Sequence, residues 1–171
     1  MKNEVRVKAG KKAKRKGGSF ERRVAKSLSE FWGSEFFRTP ASGGSRLKKD
    51  YNLAGDVCTA DDEWFFHIEC KNQESLGNFW AFMVSDKNIV WKWWDQATTE
   101  CPSHQVPVLV FTKNRMPVWA MLKKDLFSKF IKVTGVDRDE LLPRIEVQDV
   151  IVIPFDLFLS FGKEKWIKLN Q

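Results

Sequence analysis

Gly55-Asp56-Val57, the acidic turn Asp61-Asp62-Glu63 and the run Phe65-Phe66-His67-Ile68-Glu69-Cys70-Lys71 decide how this chain is read. Together they predict a β-hairpin, with a first strand from Ala54 to Thr59, the acidic turn, and a second strand from Trp64 to about Lys71. β-Branched and aromatic residues suit the pleated surface of a sheet. Side chains alternate along a strand, so His67, Glu69 and Lys71 share one face. Phe66, Ile68 and Cys70 take the other face, which suits a core. A carboxylate and an ammonium are thereby held two residues apart on a rigid element, and Asp56 on the neighbouring strand brings a second carboxylate alongside.

Metal-assisted phosphodiester hydrolysis needs such a set. Two carboxylates bind a hard cation such as Mg²⁺ through oxygen. The cation lowers the pKa of a bound water and neutralises phosphate charge. A lysine beside it orients that water or stabilises the pentacovalent oxyanion. Glu-x-Lys alone is common by chance and by itself favours a solvated surface hairpin. The combination with Asp56 behind a glycine, and with features upstream, favours the chemistry.

The chain has 171 residues and is 43% hydrophobic, enough for one domain with a core. Its formal net charge of +7 is concentrated at one end. Lys2, Arg6, Lys8, Lys11, Lys12, Lys14, Arg15 and Lys16 stand against Glu4 alone, and the remainder is formally neutral. The expectation is a flexible basic arm over 1–17 and a single domain over 18–171. A basic arm on a neutral body is the pattern of a polyanion-binding tail, with a solubility tail or disordered leader as the alternative. No apolar run follows the basic start, so no secretory signal is expected, and none is long enough to span a membrane. Cys58, Cys70 and Cys101 are odd in number without C-x-x-C spacing, which fits reduced thiols in the cytoplasm. A zinc site from Cys101-x-x-His104 with His67 is disfavoured, because Cys70 should point to the core and no second ligand pair exists.

In chain order, Gly17-Gly18 reads as a joint and Ser19 as the N-cap of a helix whose Phe20, Val24, Leu28 and Phe31 face the core. Glu21, next to Arg22-Arg23, either complements the helix dipole or offers a third acid to a metal. Gly33 ends the helix, and Glu35 to Arg38 reads as a short strand. Thr39 to Lys49 is a loop of small and basic residues suited to a phosphate backbone, or an ordinary surface loop. Phe79 to Met83 and the helix Ile89 to Ala97 are aromatic. Core packing, a dimer interface and base stacking are the three readings of that cluster. Gln105 to Thr112 and Pro117 to Leu122 pair as strands around a turn at Asn114-Arg115. Lys123 to about Lys132 is an amphipathic helix with Leu126, Phe127 and Phe130 inward, broken by Gly135. Val147 to Ile153 is a strand, and Pro154 opens a short helix. The pattern is α/β, a central mixed β-sheet flanked by helices.

The succession Gly-Gly-Ser-Phe-Glu-Arg-Arg, Arg-Thr-Pro-Ala-Ser-Gly-Gly, Gly-Asp-Val and Glu-Cys-Lys resembles the PD-(D/E)xK nuclease superfamily. Within it, the likeness is to archaeal-type Holliday-junction resolvases and their phage relatives, well over residues 15 to 71 and by element order beyond. The resemblance implies a restriction-endonuclease-like fold, Mg²⁺ dependence with Mn²⁺ able to substitute, a homodimer, and branched or double-stranded DNA as partner. It places the protein in the cytoplasm, associated with DNA, of a prokaryotic or phage-infected cell. It makes Asp56, Glu69 and Glu21 metal ligands, with the backbone carbonyl of Cys70. Lys71 becomes the catalytic lysine, and Ser42 a loop residue near the scissile phosphate. Arg38 matches the basic residue before that loop, and Gln96 the glutamine of the helix after the Glu-x-Lys strand. The DNA contacts implied are Lys11, Lys12, Lys14, Arg15, Lys16, Arg22, Arg38, Ser45, Arg46, Lys48, Lys49 and Gln96. Gly55 stands where the superfamily's name has a proline. The same fold acting on other DNA, as a restriction-like or repair nuclease, is one alternative. A non-catalytic nucleic-acid-binding protein is the other, and the acids facing a phosphate argue against it.

Overall fold

A computed structural model of the chain describes residues 2–40, 54–74 and 79–169. The apolar alternation of the strands builds one seven-stranded sheet in the order β1-β2-β3-β4-β5-β7-β6. The strands are β1 (Phe36–Arg38), β2 (Val57–Thr59), β3 (Phe66–Gln73), β4 (Val106–Lys113), β5 (Trp119–Lys123), β6 (Ile145–Val147) and β7 (Val150–Pro154). β3 and β4 pair in parallel, and every other neighbour is antiparallel. A parallel pair needs a crossover. Here it is a 3-10 turn (Phe79–Met83) followed by α2 (Ile89–Glu100).

Helices cover both faces. On one lie α1 (Lys2–Trp32), α3 (Lys124–Thr134), α4 (Phe155–Ser160) and α5 (Lys163–Ile167), over a core that includes Phe20, Leu28, Phe66, Ile68, Val108, Phe130, Phe158 and Trp166. On the other lies α2, over Leu109, Phe111, Met121 and Val152. No helix among the described residues is long and apolar enough to cross a membrane.

Trp91, Trp93 and Trp94 are buried within the single chain, and the Trp91 indole donates to Phe82 O at 2.9 Å. Core packing is therefore the reading that holds for these three rings. They offer no free face for stacking a base. Phe20, Val24 and Leu28 are buried as their spacing predicts, and Gly33 follows the last turn of α1, its N–H donating to Ser29 O.

Two expectations change. α1 does not begin at Ser19; it runs unbroken from Lys2 through Gly17-Gly18 to Trp32. Glycine is a poor helix former by roughly 0.5–1 kcal/mol against alanine, but Gly18 is buried against Arg38, where a Cβ would come within 3.3 Å of the guanidinium carbon. Close approach of β1 to the helix outweighs the propensity. The single strand expected over Val147 to Ile153 is instead a hairpin, β6 and β7, turning at Gln148 with φ of 51°. Nothing in its composition signals that turn, because no glycine marks it. Smaller shifts are that β2 starts at Val57 and β3 runs from Phe66 to Gln73.

Trp166 is fully buried, its ring centroid 5.2 Å from that of Phe66, 4.3 Å from Phe130 and 4.8 Å from Phe158. Trp166→Ala should cost about 3–5 kcal/mol, measured as a lower midpoint in urea unfolding at an unchanged slope.

Candidate active site

The hairpin arises where β2 returns against β3 with Val57 opposite Ile68. Its acidic turn is anchored: the Trp32 indole, Ser34 hydroxyl and Lys163 ammonium all donate to Asp61 Oδ2, the first at 3.1 Å and the last at 3.3 Å. Just before β2, the Asp56 N–H donates to Ile68 O at 2.8 Å, and the Cys70 N–H donates to Asp56 Oδ2 at 2.8 Å. The Thr39 N–H donates to the Asp56 carbonyl at 3.0 Å. Asp56 is thus tied to β3 through both backbone and side chain.

Gly55 makes this approach possible. Its φ is 84°, and a Cβ there would lie 2.6 Å from the Ile68 carbonyl oxygen. Proline, locked near −65°, cannot take this conformation, which accounts for glycine where the superfamily's name has proline.

Glu69 follows on β3, 4% exposed, and forms an ion pair with Lys71 through Oε1. On the same face His67 is buried, and among the described residues neither ring nitrogen has a hydrogen-bond partner. Burial holds His67 below its usual pKa, so the imidazole is neutral. That face is closed at the His67 end and opens towards Lys71, which is only partly buried. Phe66, Ile68 and Cys70 lie in the opposite core, as alternation predicts. Glu21 on α1 pairs with Arg38 on β1. Gly18 gives the guanidinium room to lie against the helix.

Electrostatics link these groups. The Asp56 carboxyl is pushed up to about 6, first by burial and then by the Glu69 charge, with the Cys70 N–H lowering it, Glu21 raising it and Lys71 lowering it. Glu69, Glu21 and Lys71 therefore all act on Asp56 in the folded chain. Gln96 differs: it is exposed and donates to Glu100 Oε1 at 3.1 Å along the solvent side of α2, with no bond to the carboxylates. Ser42, Ser45, Arg46, Lys48 and Lys49 lie outside the described residues, as do the side chains of Lys11, Lys12 and Lys14. Arg15, Lys16 and Arg22 line a cavity on α1 together with Ser19, Arg23 and Asn72. Sequence reasoning missed these last three; the doublet Arg22-Arg23 was the one available signal.

Among the described residues no group of three or more His, Cys, Asp or Glu side chains forms a metal-ligand cluster. The oxygen donors at hand are Asp56, Glu69 and the Cys70 carbonyl. They fit a hard cation in kind, since Mg²⁺ binds through one or two carboxylates and keeps several waters. Asp56 Oδ1 accepts no hydrogen bond among the described residues, and burial, followed by the Glu69 charge, raises the Asp56 pKa.

A mixed sheet flanked by helices, with an aspartate at the hairpin base and Glu-x-Lys on the next strand, is the architecture of the PD-(D/E)xK nucleases. Residues 12–168 match the family model described as phage putative PDDEXK endonuclease, and the chain belongs to that family. It matches none of the curated proteins and none of the solved structures.

Gly55→Ala should destabilise the fold by about 2 kcal/mol or more, from positive φ and the clash with Ile68 O, read as a lower Tm. Asp56 carries a second test, in chelator. Its folded pKa of about 6 exceeds the ordinary aspartate value of 3.8, so the folded state binds the proton more tightly. Ionisation then destabilises the fold progressively as pH rises from near 4 through 6. Asp56→Asn should stabilise the protein at pH 7 by up to about 3 kcal/mol, with the gain vanishing below pH 4. Equal Tm differences at pH 4 and pH 7 would refute the buried charge.

Proposed function

We propose that this protein is a divalent-metal-dependent DNA endonuclease whose preferred substrate is a four-way (Holliday) junction, and that it works as a homodimer on DNA in the cytoplasm. The observation that carries the reading is the pairing of two carboxylates, Asp56 and Glu69, around the Cys70 backbone with Lys71 bonded to one of them. Folding gains nothing from bringing like charges together, so their juxtaposition makes sense as a cation site.

Asp56, Glu69 and the Cys70 carbonyl would hold Mg²⁺, or Mn²⁺ in its place, which when bound supplies Lewis-acid charge on the phosphate and a water of lowered pKa. The protein's own groups do the rest. The Cys70 N–H fixes Asp56 so that Oδ1 points free. The Lys71 ammonium, held by Glu69, donates to the phosphoryl oxygen as negative charge develops there. Glu21, restrained by Arg38, adds a third carboxylate near Asp56. The assignment of Ser42, Ser45, Arg46, Lys48 and Lys49 to the strand being cut, and of the basic arm to its flanks, comes from the sequence.

The junction preference and the dimer go together. A four-way junction presents two equivalent strands, which calls for two sites related by a two-fold axis, and one chain of this size holds one site. The resemblance of the motif order to junction resolvases supports the same choice.

Glu69→Ala and Asp56→Ala should abolish metal-dependent cleavage while leaving DNA binding in chelator intact or tighter, since each removes a repulsion with phosphate. Lys71→Ala should slow cleavage and spare metal binding. The decisive assay compares a fixed four-way junction with duplex, flap and single strand. Paired nicks near-symmetric about the branch point, from a species that sediments as a dimer, are expected. A monomer cutting linear duplex as readily would replace the junction with other DNA, and normal cleavage by Glu69→Ala would remove the site.

A further inference from the structure

A cavity of about 250 Å³ lies between α3 and the far edge of the sheet. Lys124, Phe127, Ser128 and Ile131 line one side of it, the i, i+3, i+4 and i+7 stripe of α3. Glu146 and Ile151 line the other, and they are partners across β6 and β7, so they share a face of the sheet. Arg138, from the 3-10 turn Arg138–Leu141, completes it. In the strand order β6 stands four places from β3, roughly 19 Å at about 4.8 Å per strand. The cavity is therefore remote from Glu69.

Its chemistry is one-sided. Phe127 and Ile151 are buried core residues, and Ile131 packs against the same core, so the floor is apolar. The rim holds donors and no free acceptor. Glu146 is the one anion of the lining, and both its oxygens are taken. Oε1 accepts from Arg138 Nη2 at 2.8 Å and from Arg144 Nε at 3.1 Å, and Oε2 pairs with Lys124 Nζ at 3.3 Å. The Arg138 and Arg144 bonds hold the Glu146 carboxyl down at about 2, so it stays charged and keeps the cations gathered. Three positive charges around one negative leave a net +2. Asp125, Asp137 and Asp139 are close in sequence but do not line the cavity, and Asp137 accepts from the Asp139 N–H. Arg144 also donates to the Arg138 carbonyl at 2.7 Å, which braces the turn. The remaining N–H groups of Arg138 and Lys124 and the Ser128 hydroxyl have no partner among the described residues.

A donor-only rim over an apolar floor selects the opposite pattern, charged acceptor oxygens on an apolar body. The volume falls below the roughly 300–1,000 Å³ of pockets that take drug-sized ligands, which limits the ligand to about one ring and one head group. We infer that this cavity binds a small organic anion, an apolar body bearing one carboxylate or phosphate, with its head on Arg138 and Lys124 and its body against Phe127, Ile131 and Ile151. The inference is independent of the nuclease reading, since no residue of the carboxylate site takes part. A free small molecule and an apolar side chain flanked by carboxylates in a peptide present the same chemistry.

The test uses the full chain with labelled isoleucine methyl groups, followed by NMR in chelator. Phenyl phosphate and 3-phenylpropionate should shift the Ile131 and Ile151 methyls with a Kd on the order of 1 mM. Benzyl alcohol, which lacks the charge, and inorganic phosphate, which lacks the body, should bind at least about tenfold more weakly. Arg138→Gln/Lys124→Gln should weaken both organic anions about tenfold and leave benzyl alcohol as it was. Ser128→Phe, at an exposed position that touches no ion pair, should fill the opening and remove the shifts at the parent Tm. Benzyl alcohol binding as well as the anions would leave only an apolar cleft, and inorganic phosphate binding as well would leave only a charged surface; either overturns the site. Shifts that survive the Gln pair, or none at either methyl, would do the same. A short DNA strand that moves these methyls at lower concentration than either anion would replace the ligand class with nucleic acid. The peptide Asp-Phe-Asp binding more tightly than 3-phenylpropionate supports the site with a protein segment as the source, and weaker binding supports it with a free small molecule.

Discussion

Asp56 is bonded twice to the same strand. Its amide joins it to Ile68 and its carboxylate to the Cys70 amide, so the acid replaces a rung of the ladder at the base of the hairpin. Backbone amides placed this way position a carboxylate more tightly than a rotatable side chain could. The arrangement demands a residue without a Cβ next door, because Gly55 passes 2.6 Å from Ile68 O at the point a Cβ would occupy. From these bonds follow the register of β2 on β3, the entry of the chain from Thr39, and the proximity of Asp56 to Glu69. Burial, with the Glu69 charge behind it, raises the Asp56 pKa, which is the electrostatic cost of that placement.

The support is layered around this point. β3 is covered on both faces, by α1 on the Cys70 side and by α2 on the His67 side. A strand buried this way cannot slip register without turning Glu69 into an apolar core. Arg38 acts in the same sense at the edge: it bridges β1 to Glu21, and Gly18 leaves it room to do so. α1 consequently joins three things in one rod, the basic residues, the cavity and a site carboxylate.

The hairpin was legible from residues 54 to 71 because its signals are local: alternation, an acidic turn, and a Glu-x-Lys spacing that needs no distant partner. The core face of α1 was legible for the same reason, through the spacing of Phe20, Val24 and Leu28. Contacts between distant segments were not. The continuity of α1 through Gly17-Gly18 depends on Arg38 twenty residues away, and propensity argues against it. The Glu21 to Arg38 pair is invisible until β1 lies beside the helix. The β6–β7 hairpin turns on Gln148 in a left-handed conformation, which no residue-type rule would choose. The aromatic segment divided among three readings because composition alone does not say which side of a ring meets solvent.

Seven of the eight tryptophans, Trp32, Trp64, Trp91, Trp93, Trp94, Trp119 and Trp166, are buried. Trp32, Trp64 and Trp166 belong to the α1 face, and the other four to the α2 face. The ultraviolet emission of these seven is therefore an interior signal drawn from both layers at once. It will shift to the red when either layer admits water. None of these seven indoles lines the cavity on α1, so events there leave their emission quiet.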